Sequence, residues 1–396
     1  MKYAHLADSH LGAWRDQKMR DISIKAFLTA IDNCIQEHVD FILFAGDLFN
    51  TSLPSLDTLK IVAKKLKDLS NNNISFYAIA GSHDFSPSGK TMIEVLEKAG
   101  LLVNVCKGEV NLETKELHLK FTQDKTGAKI TGILGRKGQL DQTFYQSLNR
   151  QSIENEPGYK IFLFHTTITE LLPADLAMID SQPISFLPKN FNYYAGGHIH
   201  HPAKIGQATY PGALFPNNFQ ELEKYGKGGY YIIENYNIQW IPLEIIKHQS
   251  LSLSCHRKSP EVITFEILDH FNAKNLSNTI ITIRLKGTLN EGTISNINFK
   301  QIFEQLYKQG AYFIMKNTAK LTSQEFEEIQ INNTNPDLIE EKIILEHLQQ
   351  IPLFNKETEF HLTKTLLQTL ATSKKEGETV TDFQDRIESE INNIIK

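Results

Sequence analysis

The stretch Ile74-Ser75-Phe76-Tyr77-Ala78-Ile79-Ala80-Gly81-Ser82-His83-Asp84 decides how the rest of the chain is read. Its first six residues are mostly apolar and rich in β-formers, the composition of a buried strand. The run then breaks at a glycine and delivers serine, histidine and aspartate in succession. Beyond a turn-like Ser86-Pro87-Ser88-Gly89, Thr91 to Ala99 carries apolar residues at helical spacing and stops at Gly100. Strand, polar turn and helix make the unit of a parallel sheet, and in such sheets ligands bind just past the carboxyl ends of the strands. The stretch therefore predicts an α/β fold with His83 and Asp84 on its functional edge.

Upstream the same unit recurs. Lys2–Ala7 and Asp40–Ala45 read as strands, and Asp21–Glu37 and Pro54–Leu69 as the helices between them. Downstream, Val110–Leu112, Leu117–Phe121 and Lys129–Leu134 are short strands that predict an antiparallel meander. Lys160–Phe164, Tyr193–Ala195, Ala208–Tyr210 and Gly229–Glu234 add further strands, so residues 1–243 are expected to form two packed mixed β-sheets flanked by helices. After Leu243 the pattern restarts. Strands at Val262–Leu268, Thr279–Leu285 and Tyr312–Lys316, with a helix near Phe299–Gln309, predict a small α+β domain over 250–318. An acidic linker over 319–336 and C-terminal helices over 337–396 (Leu338–Leu348, Glu359–Thr369, Thr381–Ile395) complete the expectation.

Composition narrows the class. A chain of 396 residues with 41% hydrophobic and 22% charged content suits a globular protein of two or three domains. Its apolar runs are strand-length, far short of a membrane span. The opening residues lack the basic, apolar and small-residue succession of a secretory leader. Three widely spaced cysteines, Cys34, Cys106 and Cys255, make neither a disulfide framework nor a thiolate metal site, and the expectation is a cytoplasmic protein. The net charge of −5 is uneven: residues 321–396 carry 15 acidic and 7 basic side chains, leaving 34 basic and 31 acidic in the rest. Such a tail suits a protein partner better than a polyanion.

Strand ends carry the chemistry. Asp8-Ser9-His10, Gly46-Asp47, Gly81-Ser82-His83-Asp84, Phe164-His165 and Gly197-His198-Ile199-His200 each follow an apolar run. Carboxylate oxygen and imidazole nitrogen together suit zinc, manganese or iron, where an all-oxygen set would favour magnesium or calcium. Any single histidine is most simply structural, and His5, His118, His347 and His361 read that way. Six metal-type residues at the ends of strands are not explained so simply.

The ordered series D-x-H, G-D, G-x-H-D, H and G-H-x-H resembles the calcineurin-like metallophosphoesterase superfamily. Within it, His5-Leu6-Ala7-Asp8-Ser9-His10-Leu11-Gly12, Gly46-Asp47-Leu48-Phe49-Asn50 and Tyr210-Pro211-Gly212 are similar to the nuclease subunit of the DNA double-strand-break repair complex, the SbcD-type exonuclease in an archaeal form. The resemblance implies one metal held by Asp8, His10, Asp47 and His200, and a second held by Asp47, Ser82, His165 and His198. It implies that His83 orients the scissile phosphate and protonates the leaving oxygen, with Asp84 fixing its ring. It further implies two Mn2+ ions, 3′-to-5′ exonuclease and single-strand endonuclease activity on DNA, a homodimer and a coiled-coil ATPase partner. Two positions depart from the family: Ser82 stands where Asn is usual, and Asn50 where a second histidine often follows Gly-Asp. Arg15, Lys18 and Arg20, just past the first motif, are candidate nucleic-acid contacts. The rival expectations are a metallophosphatase or nucleotide phosphodiesterase on the same fold, and a metal-poor scaffold subunit.

Overall fold

In a computed structural model the described residues are 1–323, apart from 87, 88, 137, 139 and 177, and 340, 341, 343–345, 348, 354–375 and 377–395. Of the expected linker over 319–336, residues 324–336 lie outside them while 319–323 end a strand, and of the helix expected at Leu338–Leu348, residues 338, 339, 342, 346 and 347 lie outside them.

Three strands and two helices open the chain: β1 (Lys2–Leu6), α1 (Gln17–Gln36), β2 (Phe41–Ala45), α2 (Leu56–Asn71) and β3 (Ser75–Ile79). Helix α1 begins before the expected Asp21 because Asp16 caps it, its carboxylate accepting the Lys18 N–H. Next come α3 (Met92–Lys98), β4 (Val103–Asn104), β5 (Gly108–Val110), β6 (Leu117–Leu119), β7 (Thr122–Gln123), β8 (Lys129–Ile133), α4 (Gln142–Gln146), α5 (Arg150–Glu154) and β9 (Lys160–Phe164). The first compact stretch closes with β10 (Tyr193–Gly196), β11 (Ala203–Ile205), β12 (Ala208–Tyr210), α6 (Phe219–Tyr225), β13 (Gly228–Glu234) and β14 (Asn237–Leu243).

These strands make two six-stranded mixed sheets, ordered β14-β13-β1-β2-β3-β4 and β11-β12-β10-β9-β8-β7. In the first, β1 to β4 are parallel and β13 and β14 antiparallel. In the second, β8, β9, β10 and β12 are parallel and the two edge strands antiparallel. The expected antiparallel meander is confined to the β5–β6 hairpin and the β7–β8 pair. Alternation explains why β2 is buried throughout: Phe41 and Leu43 face the core between the sheets, with Ile161 and Leu163, while Ile42 and Phe44 pack under the helices.

After β14 come β15 (Lys247–Ser254), α7 (Pro260–Asn272), β16 (Thr279–Leu289), α8 (Phe299–Lys308) and β17 (Ala311–Ser323), with a three-stranded sheet β15-β16-β17. Val262–Leu268, read as a strand, is instead part of α7. Its β-branched residues favour a strand, but Ile263, Ile267 and Phe271 recur every four residues and are fully buried, so packing of a helical face wins. By compactness, residues 1–254, 262–286 and 298–320 form one unit and 255–261, 287–297 and 321–396 another. Within the first unit the small sheet shares a core with the preceding helices: Met19, Ile22 and Ala26 of α1, Leu222 of α6 and Ile280 of β16 cluster together. Within the second, the helices Lys356–Leu370 and Val380–Ile395 pack on each other, and no residue of either is fully buried. Among the described residues no helix is long and apolar enough to cross a membrane.

Candidate metal centre

The loops after β1, β2, β3, β9 and β10 converge on one edge of the two sheets. Four of the candidate ligands adopt left-handed backbone, with φ of 51° at Asp8, 39° at His10, 55° at Asp47 and 93° at His198. Non-glycine residues avoid that region, and its concentration here marks strain held by surrounding contacts. The contacts are visible: the Asp8 and His10 N–H groups donate to the carbonyls of Gly46 (3.1 Å) and Asp47 (3.0 Å). Two glycines let the loops close up. Gly46 has φ 91°, and a Cβ there would overlap Nδ1 of His165; a Cβ at Gly81 would overlap Oδ1 of Asp47.

Ligand atoms gather in overlapping groups. Asp8, His10 and His200 form one, Asp47, His165 and His198 another, and His10, Asp47 and His83 a third that bridges them, each with its atoms within 4.8 Å. Nε2 of His10 lies 3.0 Å from Nε2 of His200 and 3.5 Å from Oδ2 of Asp47, and Nε2 of His165 lies 3.2 Å from that same oxygen. The far sides of the rings are anchored. His165 donates from Nδ1 to the Ala45 carbonyl at 2.7 Å, and His200 from Nδ1 to Glu221 at 2.9 Å. Each anchor leaves the Nε2 lone pair facing inward, as a metal-ligating imidazole requires. Nε2 of His165 is buried without a hydrogen bond. Facing lone pairs and an orphaned buried nitrogen fit a pair of divalent cations, for which this mixed oxygen and nitrogen set is suited.

Charge at the site is compressed. Burial raises the Asp8 carboxyl to about 6, and burial with the charge of Asp47 raises Asp84 to about 7. Burial also pushes Asp47 up, but the facing His165 and His10 rings and the His83 amide outweigh it and hold Asp47 well below the usual carboxylate range. For His165, burial works against the proton and Asp47 wins, lifting the ring to about 10. His198 falls to about 3 and His10 well below its ordinary value, chiefly through burial. Among these rings His165 thus takes the positive charge that the carboxylates demand, and a bound cation would compete for that place.

The remaining expected residues divide. His83 lines the cleft beside Ser82, its amide donating to Oδ1 of Asp47 (2.7 Å). Its ring is fixed by the Asn50 carbonyl, 3.0 Å from Nδ1, and not by Asp84. The expected role of Asp84 is corrected accordingly: its buried carboxylate accepts the N–H groups of Gly81 and Asp47 (each 2.9 Å), Phe49 (3.1 Å) and Leu48 (3.4 Å). Ser82 turns its hydroxyl towards Oδ2 of Asp47 at 3.4 Å. Arg15 is exposed, and Arg20 lines a separate cleft with Leu11 and Asn50. Lys18 holds its ammonium over the Tyr312 and Tyr307 rings (5.5 and 5.6 Å) and donates to the Tyr312 carbonyl, so it anchors β17 and α8. Glu221 was not foreseen. It stands three residues after the cap Asn218, where an acid reads as ordinary helix capping, and nothing in the sequence ties it to His200.

Comparison with known proteins adds relatives. The family described as Calcineurin-like phosphoesterase matches residues 1–202. The chain is 28% identical over 277 residues to the DNA double-strand break repair protein Mre11 of Archaeoglobus fulgidus, covering 62% of this chain and 59% of that protein's length. It is 29% identical over 304 residues to the protein of the same name from Sulfurisphaera tokodaii, covering 72% and 73%. Among solved structures, a dimetal phosphatase from Danio rerio is similar at 8% identity, with a TM-score of 0.40, over 61% of this chain and 95% of that one.

Proposed function

Because the chain belongs to the calcineurin-like phosphoesterase family, whose model spans residues 1–202, we propose that its metal-dependent phosphoester hydrolysis is directed at DNA, as a nuclease processing double-strand-break ends. The observation that carries the reading is the pair of three-residue groups, Asp8-His10-His200 and Asp47-His165-His198, with His83 beside Asp47. The archaeal relatives, named for double-strand break repair, support the choice of substrate.

Asp8, His10, Asp47 and His200 would hold one divalent cation, and Asp47, His165, His198 and the Ser82 hydroxyl the other. When bound, such a pair supplies Lewis-acid polarisation of phosphoryl oxygen and a water acidic enough to attack near neutral pH. The chain's own residues do the rest. The Asn50 carbonyl accepts from Nδ1–H of the His83 ring, which leaves Nε2 as the atom that would take up a proton and pass it from the imidazolium to the leaving oxygen. Asp84 keeps the loops of Asp47 and His83 in register by gathering their backbone amides. Manganese, 3′-to-5′ exonuclease and single-strand endonuclease activity, a homodimer and a coiled-coil ATPase partner complete the proposal. Residues 250–318 would cap the site and contact DNA. The C-terminal helices would dock the ATPase through Phe360, Leu362, Leu366, Phe383 and Ile387, which are only half-buried.

The test is a gel assay on 5′- and 3′-labelled duplex DNA with Mn2+, Mg2+ or chelator. Cleavage with metal, none with chelator, and loss of about 10²-fold or more in His83→Gln are expected. Unchanged cleavage in Asp8→Ala, His83→Gln or His165→Ala protein would remove the assignment. Turnover of a nucleotide monoester in preference to DNA would make the protein a phosphatase, and absence of bound metal with no turnover a scaffold.

A further inference from the structure

Past β8 the chain runs Ile133-Leu134-Gly135-Arg136, an apolar run, a glycine and a charged residue, as at the ligand-bearing strand ends. Gly135 packs directly on the metal centre: a Cβ there would overlap Cδ2 of His165, and its N–H donates to the Ala80 carbonyl at 3.0 Å. Arg136, the next residue, therefore starts within one peptide of a candidate ligand. The buried Asp141 lines the same cavity with Thr166, the neighbour of His165.

The side chain is exposed yet held. Its guanidinium carbon lies 5.8 Å from the Phe85 ring centroid and 6.0 Å from that of Phe144, so two aromatic rings position the planar fork without consuming its N–H donors. Among the described residues no carboxylate forms an ion pair with it. Arg136 lines a cavity of about 360 Å³ with Ser82, His83, His165 and His198, and it is the only arginine or lysine among the described residues that do so. A pre-organised fork with free donors at the mouth of a phosphodiesterase cleft fits a second phosphate.

We propose that Arg136 binds the phosphate adjoining the scissile one, so that the site selects strands carrying at least two phosphodiesters over isolated diesters. This rests on the nuclease reading above. It also gives Phe85, one residue past Asp84, a function as the platform that aims the fork.

The experiment compares kcat/KM for a short single-stranded oligonucleotide with that for bis(p-nitrophenyl) phosphate, which has a single phosphate. In wild-type protein the oligonucleotide is preferred; in Arg136→Ala the preference ratio falls at least about tenfold, with Arg136→Lys between, since an ammonium keeps the charge and loses the fork. A second measurement needs no turnover: oligonucleotide binding in chelator, titrated with salt. Loss of one phosphate contact lowers the slope of log affinity against log salt by about 0.7 for a single strand. An unchanged ratio together with an unchanged slope overturns the assignment, including the case where both substrates suffer equally. A wild-type protein that neither binds nor cleaves the oligonucleotide refutes the nuclease reading itself, a result separable from any effect of Arg136.

Discussion

Through its 2.9 Å bond to Nδ1 of His200, Glu221 selects the tautomer whose Nε2 lone pair faces Asp8 and His10. Partners of this kind tune metal affinity without touching the ion. Glu221→Ala is expected to weaken cation binding about 10- to 100-fold by calorimetry, and Glu221→Gln, which keeps an acceptor, much less. Proton binding at neighbouring residues sets how the metal-free protein responds to pH. Asp8 and Asp84 are raised to about 6 and about 7, and His165 to about 10. A group whose folded value is raised contributes stability that is full below its ordinary value and is lost as pH climbs through the folded one. In chelator the two carboxyls lower stability as pH climbs from about 4 to 7, while the depressed His10 and His198 raise it up to their ordinary value near 6.5. The two effects oppose each other there, and the melting temperature should fall from about pH 7 towards pH 10 as His165 loses its proton. Asp47, held low, acts in the opposite sense, only on the acid side of its ordinary value. Added divalent cation should raise melting most at the alkaline end, where its ligands are already deprotonated. A melting temperature in chelator that rises steadily from about pH 7 to 10 would contradict the assignment of His165.

Loops behind β2 and β3 behave as one element, since the Asp84 carboxylate bonds amides from both. Gly81 is their closest approach, and Gly81→Ala drives a methyl group into Asp47. Loss of metal binding and activity, with a folded far-ultraviolet spectrum, is the expected outcome, checked by metal titration and circular dichroism. At this scale the sequence was informative where side chains repeat along an element. The strand ends, the parallel order of β1 to β3 and the ligand types at each loop follow from apolar runs that stop at glycine. Contacts made by backbone were not legible. No pattern announces that Asn50 offers its carbonyl to His83, or that Asp84 serves amides instead of a ring. Helix α7 was misread because Ile263 and Thr264 prefer strands while the burial of Ile263, Ile267 and Phe271 follows a helical period. Arg136 carries a signal of the same kind, an apolar run ending in Gly135, but with an arginine in place of a metal-type side chain.

Across the whole molecule, charge and compactness separate together. Residues 324–396 belong to the second compact unit and contain all 15 acidic and all 7 basic side chains of the tail. Ending the chain at residue 323 turns the net charge from −5 to +3. Under the nuclease reading proposed above, the shortened protein should keep its metal-dependent activity, bind DNA more tightly at low ionic strength and lose that advantage at high salt, a titration that fluorescence anisotropy follows directly. The left-handed backbone at Asp8, His10, Asp47 and His198 has a different kind of consequence. Glycine relieves such strain, so a search that rewards heat resistance alone would drift towards glycine at these positions and deliver a sturdier, inert protein. Selection at these codons must therefore be scored on turnover and not on melting temperature alone.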